Sequence, residues 1–318
     1  MRALTLRSGL EYCDKYPTPA PANGEAVVRV IQAGICATDL QLVQGYMGFQ
    51  GVLGHEFVGI VDEAPHHADL VGKRVVGEIN AACRVCPVCQ AGRLTHCPCR
   101  TTLGIDRRDG AFADFLALPV ENLYPLPDEI TNDQAVFTEP LAAACQILEQ
   151  VPIHEADRVL VIGDGKLGLL CAQVLNRTGC HLTVLGRHPE KLQILAARGI
   201  LTSQDPASLL PGLDIVVEAT GTADGFKLAR EHVRSRGTIV LKSTYHGQTA
   251  VDMTALVVHE ITVVGSRCGP FPRAIELLKE SAVDVQSLIH KRFPIEQGTD
   301  AFAYAAKKGV LKVLLEMK

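Results

Sequence analysis

Four cysteines in the stretch NAACRVCPVCQAGRLTHCPCR, residues 80–100, stand at C-x2-C-x2-C-x7-C spacing: Cys83, Cys86, Cys89 and Cys97. Thiolates are soft ligands, and four on one short loop can close a tetrahedron around zinc. A closed four-thiolate site has no open position for a substrate, so its chemistry is to hold a loop. Metal binding there is also folding energy for a segment with little apolar core. Cys99 follows two residues after Cys97, with Pro98 between them. The proline stiffens the backbone, so Cys99 cannot replace Cys97 without redrawing the loop and reads as a spare, oxidisable thiol.

A second stretch, RVLVIGDGKLGLLCAQVL, places Gly163, Gly165 and Gly168 in GxGxxG register, with Lys166 and Leu167 filling the turn. The first glycine permits the tight turn, the second admits a pyrophosphate to the backbone, and the third lets helix and strand pack closely. A glycine-rich turn is weak on its own, but here it follows an apolar strand and opens a helix, as a dinucleotide site requires. About twenty residues on, such a site usually offers an Asp or Glu to the ribose hydroxyls. The strand end in TVLGRHPEKL carries Gly186 instead, followed by Arg187, His188 and Lys191. Without a carboxylate there is no repulsion toward a 2'-phosphate, and an Arg behind it offers a bidentate partner, which favours NADP over NAD. Arg187 and Lys191 as mere solvated charges at a helix start fit less well, because cations there oppose the helix dipole.

The elements that must position these groups fall into two textures. Residues 1–138 read as short β segments split by Gly and Pro, EAVVRVIQAGI, FVGIVDEA, KRVVGEI and FADFLALP, which suggest a compact, mostly antiparallel β domain. Residues 139–284 read as a helical run followed by apolar strands alternating with amphipathic helices, the pattern of βαβ units around a parallel sheet. Strands are expected at 158–162, 182–185, 215–218, 238–241 and 262–265, and helices at 166–178, 189–198 and 224–234. Residues from about 285 to 318, ending in VLKVLLEM, are expected to return to the first domain.

A chain of 318 residues suits two domains of common size. Its net charge of -4 and lack of a basic block argue against a nucleic-acid partner. No stretch stays apolar long enough to span a bilayer, and the start lacks a signal-peptide core. Clustered thiols of odd total, eleven in all, point to metal ligation in a reducing cytoplasm rather than to disulfides.

Scattered through the β region are AGICATDL, with Cys36, Thr38 and Asp39, and GVLGHEFVGIV, with His55 and Glu56; FTEPLAAACQ adds Glu139. Each residue alone is ordinary, since a lone Cys or His is most often a packed core residue. Together with the four-cysteine loop, the glycine turn and EATG, in this order, they make the chain resemble the zinc-dependent medium-chain dehydrogenases of alcohols, polyols and sugars. The resemblance covers essentially the whole chain. It implies an α/β fold with an N-terminal GroES-like β domain and a C-terminal Rossmann doubly wound sheet, the active site lying between them.

It further implies that Cys36 and His55 are catalytic zinc ligands, that Glu139 occupies a third ligand position, and that Glu56 is a direct or intermittent ligand. An oxygen-rich site of this kind leans toward the polyol branch. Thr38 matches the hydroxyl residue that takes the alcohol proton, although a β-branched residue in an ordinary strand is the bland reading. Gln41 stands where many members carry a relay His and cannot titrate, which leaves the proton's exit to water or a cofactor hydroxyl. Asp39 reads as a supporting carboxylate. The four-cysteine loop matches the family's structural zinc lobe. Thr220 and Gly221 of EATG, and Arg267 of GSRCG at a later strand end, are placed at the cofactor's nicotinamide half.

The expected protein is thus an enzyme with two zincs, one catalytic and one structural, moving a hydride between a small-molecule secondary alcohol or carbonyl and NADP or NAD. A homodimer or homotetramer is implied. Tyr46, Met47 and Phe49 could form an apolar wall for the substrate or could simply pack. A zinc-free quinone or enone reductase on the same fold, or a non-enzymatic zinc and nucleotide-binding module, are the alternatives, and Cys36, His55 and Glu139 weigh against the first.

Overall fold

In the computed structural model, which describes residues 1–244 and 250–317, the chain divides into two compact units. One joins Met1–Glu139 with Phe271–Lys318, and the other is Pro140–Pro270. The first unit therefore takes back the chain at Phe271 rather than at about 285. The reason is local: Phe271 opens the helix Phe271–Lys279 and stacks on Tyr124 at 5.3 Å between ring centroids. Ala274, Leu277 and Leu278 bury the same face of that helix. Lys318, at the end of the returning segment, lies outside the described residues.

The main sheet of the first unit runs in the order Leu123–Pro125, Arg74–Gly77, Glu56–Glu63, Glu25–Ile35, Lys312–Glu316 and Ile289–Pro294. Its spine is the strand Glu25–Ile35, in which alternate apolar side chains reach one packed face and the β-branched residues favour extended backbone. That strand pairs antiparallel with Glu56–Glu63 on one side and with Lys312–Glu316 on the other. Leu4, Leu53, Phe112, Leu116 and Leu118 fill the core, each at most 1% exposed.

The second unit is a six-stranded, wholly parallel sheet ordered Leu201–Ser203, His181–Leu185, Arg158–Ile162, Leu213–Glu218, Val233–Leu241 and Thr262–Gly265. After the exposed Arg158 at its start, the central strand is apolar, VLVI, because both faces are covered, and Val159, Leu160 and Val161 are fully buried. The order reverses between His181–Leu185 and Leu213–Glu218 on either side of that central strand, which is where doubly wound sheets bind ligands. Leu201–Ser203 was not expected from sequence, since three residues with an exposed Leu201 carry no period to read. Among the described residues no helix is long and apolar enough to cross a membrane.

Candidate active site

Cys36 is the residue just before the helix Ala37–Val43, with extended backbone. Asp39, in the first turn, accepts the Cys36 backbone N–H at 2.7 Å, which fixes the bend from strand to helix. Thr38 therefore lies in a helix and not in the strand of its bland reading, and its Oγ1 stands 3.9 Å from Cys36 Sγ. The fully buried Asp39 also places Oδ1 3.3 Å from His55 Nδ1. One carboxylate thus fixes the backbone at Cys36 and stands beside the His55 imidazole, as partners of metal ligands commonly do. Burial alone would push the His55 imidazole down, yet Asp39 and Cys36 lift it well above its ordinary value.

Strand pairing brings Glu56 to the same place. Gly34 and Glu56 are partners across the sheet, and a Cβ at Gly34 would sit 2.6 Å from Glu56 Oε2. The glycine makes room for the carboxylate. One ligand atom each from Cys36, His55 and Glu56 lie within 4.8 Å of one another. A thiolate, an imidazole and a carboxylate suit zinc, and three protein ligands are what a catalytic zinc with one open position needs.

Glu139 is not in that group, although it is near enough to feel it. Burial pushes its carboxyl up to about 7; the Glu56 and Glu78 carboxylates add to this, while His55 and Lys312 oppose it. It opens the helix Thr138–Gln150, where its negative charge is favoured by the helix dipole.

Lys312 was missed by the sequence reading. It stands on the C-terminal strand, is 1% exposed, and makes an ion pair with Glu56 in the interior. Its ammonium also lies 5.5 Å from the centroid of the Phe137 ring. Burial lowers the Lys312 pKa, but Glu56 and Cys36 more than offset that and hold it above its ordinary value. The available signal was a single cation inside the apolar run VLKVLLEM, since Lys is almost never fully buried unless paired.

The four-cysteine lobe forms a second group, with one sulfur from each of Cys83, Cys86, Cys89 and Cys97 mutually within 4.8 Å. Neighbouring sulfurs stand at 3.5 to 3.8 Å. A tetrahedron of Zn–S bonds of ~2.3 Å has edges of about 3.8 Å, so these thiols fit one zinc. Backbone N–H groups of Val85 and Cys86 and the Cys97 thiol pull Cys83 down to about 6, toward the thiolate a metal requires. Cys99 is exposed and outside the group.

The second unit holds a cavity of about 620 Å³ along the ends of its central strands. Gly163, Gly165, Arg187 and Thr220 line it, whereas Lys166, Leu167, Gly168, Lys191, Gly221 and Arg267 are not in its lining. Gly163 has φ of +119°, and a Cβ on Gly168 would meet Gly163 O at 2.1 Å, which is why both must be glycine. Lys191 is buried in its helix, and Arg267 is exposed, with Nη1 at 2.9 Å from Cys268 Sγ. Gly221 donates its N–H to Ser243 Oγ at 2.8 Å. Sequence reasoning missed Asp164, which also lines the cavity and accepts the N–H groups of Arg187 and His188.

Residues 22–128 match the alcohol dehydrogenase GroES-like domain, and residues 167–280 match the zinc-binding dehydrogenase family. The chain is 28% identical over 295 residues to L-galactonate-5-dehydrogenase of Escherichia coli K12, covering 87% of this chain and 86% of that protein. Among solved structures, it is similar to a chain from Sinorhizobium meliloti 1021 described as a zinc-binding dehydrogenase and bound to NADP. That similarity has a TM-score of 0.89 at 27% identity and covers 99% of both chains. It is also similar to a chain from Escherichia coli CFT073 described as a short chain alcohol dehydrogenase complexed with NADH, with a TM-score of 0.91 at 25% identity over 100% of this chain and 99% of the other. The buried ligand group, the four-sulfur lobe and the glycine turn of a parallel sheet agree with these matches. The chain belongs to the zinc-dependent medium-chain dehydrogenase/reductase superfamily.

Proposed function

We propose that the protein oxidises a sugar- or polyol-type secondary alcohol, or reduces the matching ketone, with NADP preferred over NAD. The observation that carries this is the group of half-buried Cys36 with buried His55 and Glu56, backed by the Asp39 carboxylate, which accepts the Cys36 backbone N–H and stands beside His55. In this reading those three residues hold the catalytic zinc, with Glu139 beside them, and Cys83, Cys86, Cys89 and Cys97 hold the structural zinc. Residues 1–138 and the returning C-terminal segment form the catalytic domain, and the parallel sheet binds the dinucleotide in the cavity lined by Gly163, Gly165, Arg187 and Thr220.

Zinc at this group supplies Lewis acidity that makes a substrate hydroxyl easier to deprotonate, and the bound nicotinamide accepts the hydride. Thr38, with its hydroxyl next to Cys36, takes the hydroxyl proton and passes it on. Asp39 Oδ1 stands 3.3 Å from His55 Nδ1, which leaves Nε2 as the ring atom for a ligand. Lys312 pairs with Glu56 and sets a cation beside the site's carboxylates. The polyol preference follows from an oxygen ligand in place of a second thiolate and agrees with the L-galactonate relative.

The protein acts as a homo-oligomer in the cytoplasm. The edge strand Thr262–Gly265 and the neighbouring helix Met253–Val258 expose Met253, Val257, Val258 and Val263, an apolar strip beside unpaired backbone. Four thiolate ligands need a reducing compartment.

A panel of alcohols and polyols assayed with NADP and NAD, together with metal analysis, tests this reading. Two zincs in the wild type, with one lost and activity abolished in Cys36→Ser, is the expected result. Two zincs retained in an active Cys36→Ser would overturn the ligand assignment, and a strong preference for NAD would overturn the cofactor choice.

A further inference from the structure

We infer that Asp164 is a specificity-determining positioning residue: paired with His188, it sets the Arg187–His188 turn to receive a phosphate on the adenosine ribose. The inference rests on the NADP reading above and names the part of the glycine turn that enforces it.

Asp164 lies between the first two glycines of the GxGxxG turn and is 7% exposed. Its Oδ2 accepts the backbone N–H groups of Arg187 and His188, each at 2.7 Å. His188 Nδ1 stands 3.0 Å from Oδ2 and 3.1 Å from Oδ1. Oδ2 thus spends its acceptor capacity on the protein, and Oδ1 shares the His188 contact. Burial works against its charge, but the two amides and the imidazole outweigh that and hold its pKa below the ordinary value.

The same carboxylate explains Gly186. A Cβ at this position would lie 2.7 Å from both Cβ and Oδ2 of Asp164. Where a dinucleotide site usually carries a ribose-binding Asp or Glu, the space is already filled from the first turn. The acid has been moved, and its role has changed with it. From the glycine turn the carboxylate instead accepts two backbone N–H groups of the segment that carries Arg187 and His188.

The anchoring has a direction. With Nδ1 of His188 turned to a carboxylate, Nε2 is the ring atom left to face a ligand. Arg187 follows Gly186 directly and adds a planar donor fork suited to phosphate oxygens. Gln204 holds the turn from the other side by donating Nε2–H to Arg187 O at 3.1 Å. Asp164, Gly186, Arg187, His188 and Gln204 all line the 620 Å³ cavity.

Adenosine 2',5'-bisphosphate and adenosine 5'-monophosphate, titrated calorimetrically into the full zinc-loaded chain, isolate this contact from turnover. The wild type is expected to bind the bisphosphate about tenfold tighter or more, the value of one charge-assisted contact. Asp164→Asn removes the anchor's charge; His188→Asn keeps a donor toward Asp164 but removes the outward ring nitrogen. Each is expected to shrink the discrimination to about threefold or less while 5'-monophosphate affinity stays within about threefold. With the full cofactors, KM for NADP should rise by a larger factor than KM for NAD. Variants that lose both probes equally, or that keep the wild-type discrimination, would show the pair to be mere scaffold and overturn the inference alone. A wild type indifferent to the 2'-phosphate would instead overturn the NADP reading, and the inference with it. Should Asp164→Asn fail to fold, the half-exposed His188→Asn decides the matter.

Discussion

Lys312→Met tests the interior of the first unit most sharply. Methionine keeps most of the stem that fills the core but removes the charge facing Glu56, and both side chains of the pair are 1% exposed. Glu56 Oε1 already lacks a hydrogen-bond partner, so the substitution orphans both oxygens of a buried carboxylate. Removing one partner of a buried pair costs about 3–5 kcal/mol. A zinc held by Glu56 offsets part of the lost charge, so the zinc-loaded protein should fall near the lower end, ~3 kcal/mol. Removing both charges in Lys312→Met/Glu56→Gln should recover most of that loss, because two neutral groups leave no naked ion. The chain has no Trp, so urea unfolding is best followed by circular dichroism. A loss below about 1 kcal/mol in the single variant, or a double variant no more stable than the single, would refute the argument that the pair is charged and solvent-excluded.

Thr38→Val should lower kcat by roughly a hundredfold or more with little change in KM, as expected for a lost proton-transfer group, and Thr38→Ser should restore most of it; equal activity in Thr38→Val would remove Thr38 from the relay. Gly186→Asp would convert an ordinary NADP site to NAD use, but here its Cβ meets Asp164 at 2.7 Å, so both cofactors should weaken by about tenfold or more; a clean switch to NAD would show that the Asp164 contact yields easily. Cys83→Ser should cost one zinc and the folding of residues 80–100, read by metal content and proteolysis, whereas Cys99→Ser should change neither. Val257→Lys with Val263→Lys should shift the particle toward the monomer in sedimentation; an unchanged mass would move the interface elsewhere.

Motifs with fixed local spacing were legible in the sequence. The four-cysteine loop and the glycine turn are short segments whose residue types and separations already state their geometry, because a tight turn or a tetrahedral thiolate set leaves few alternatives. The central strands of the parallel sheet were legible for a similar reason: a strand covered on both faces must be apolar without interruption, as in VLVI, residues 159–162. The edge strand Leu201–Ser203 was not, since an edge need not be buried and so carries no such mark.

What the sequence by itself determined, then, was the inventory: two metal-ligand sets, a nucleotide turn, and the two kinds of sheet that carry them. Tertiary structure decided which carboxylates and cations meet. Glu56 rather than Glu139 joins Cys36 and His55, because pairing of Glu25–Ile35 with Glu56–Glu63 sets Glu56 over Gly34. Lys312 reaches Glu56 only because Lys312–Glu316 is the next strand of the same sheet. Asp164 reaches His188 only because parallel strands align two turns that lie far apart in the chain. Charge pairing across strands depends on register, and register is a property of the folded sheet that no local spacing can encode.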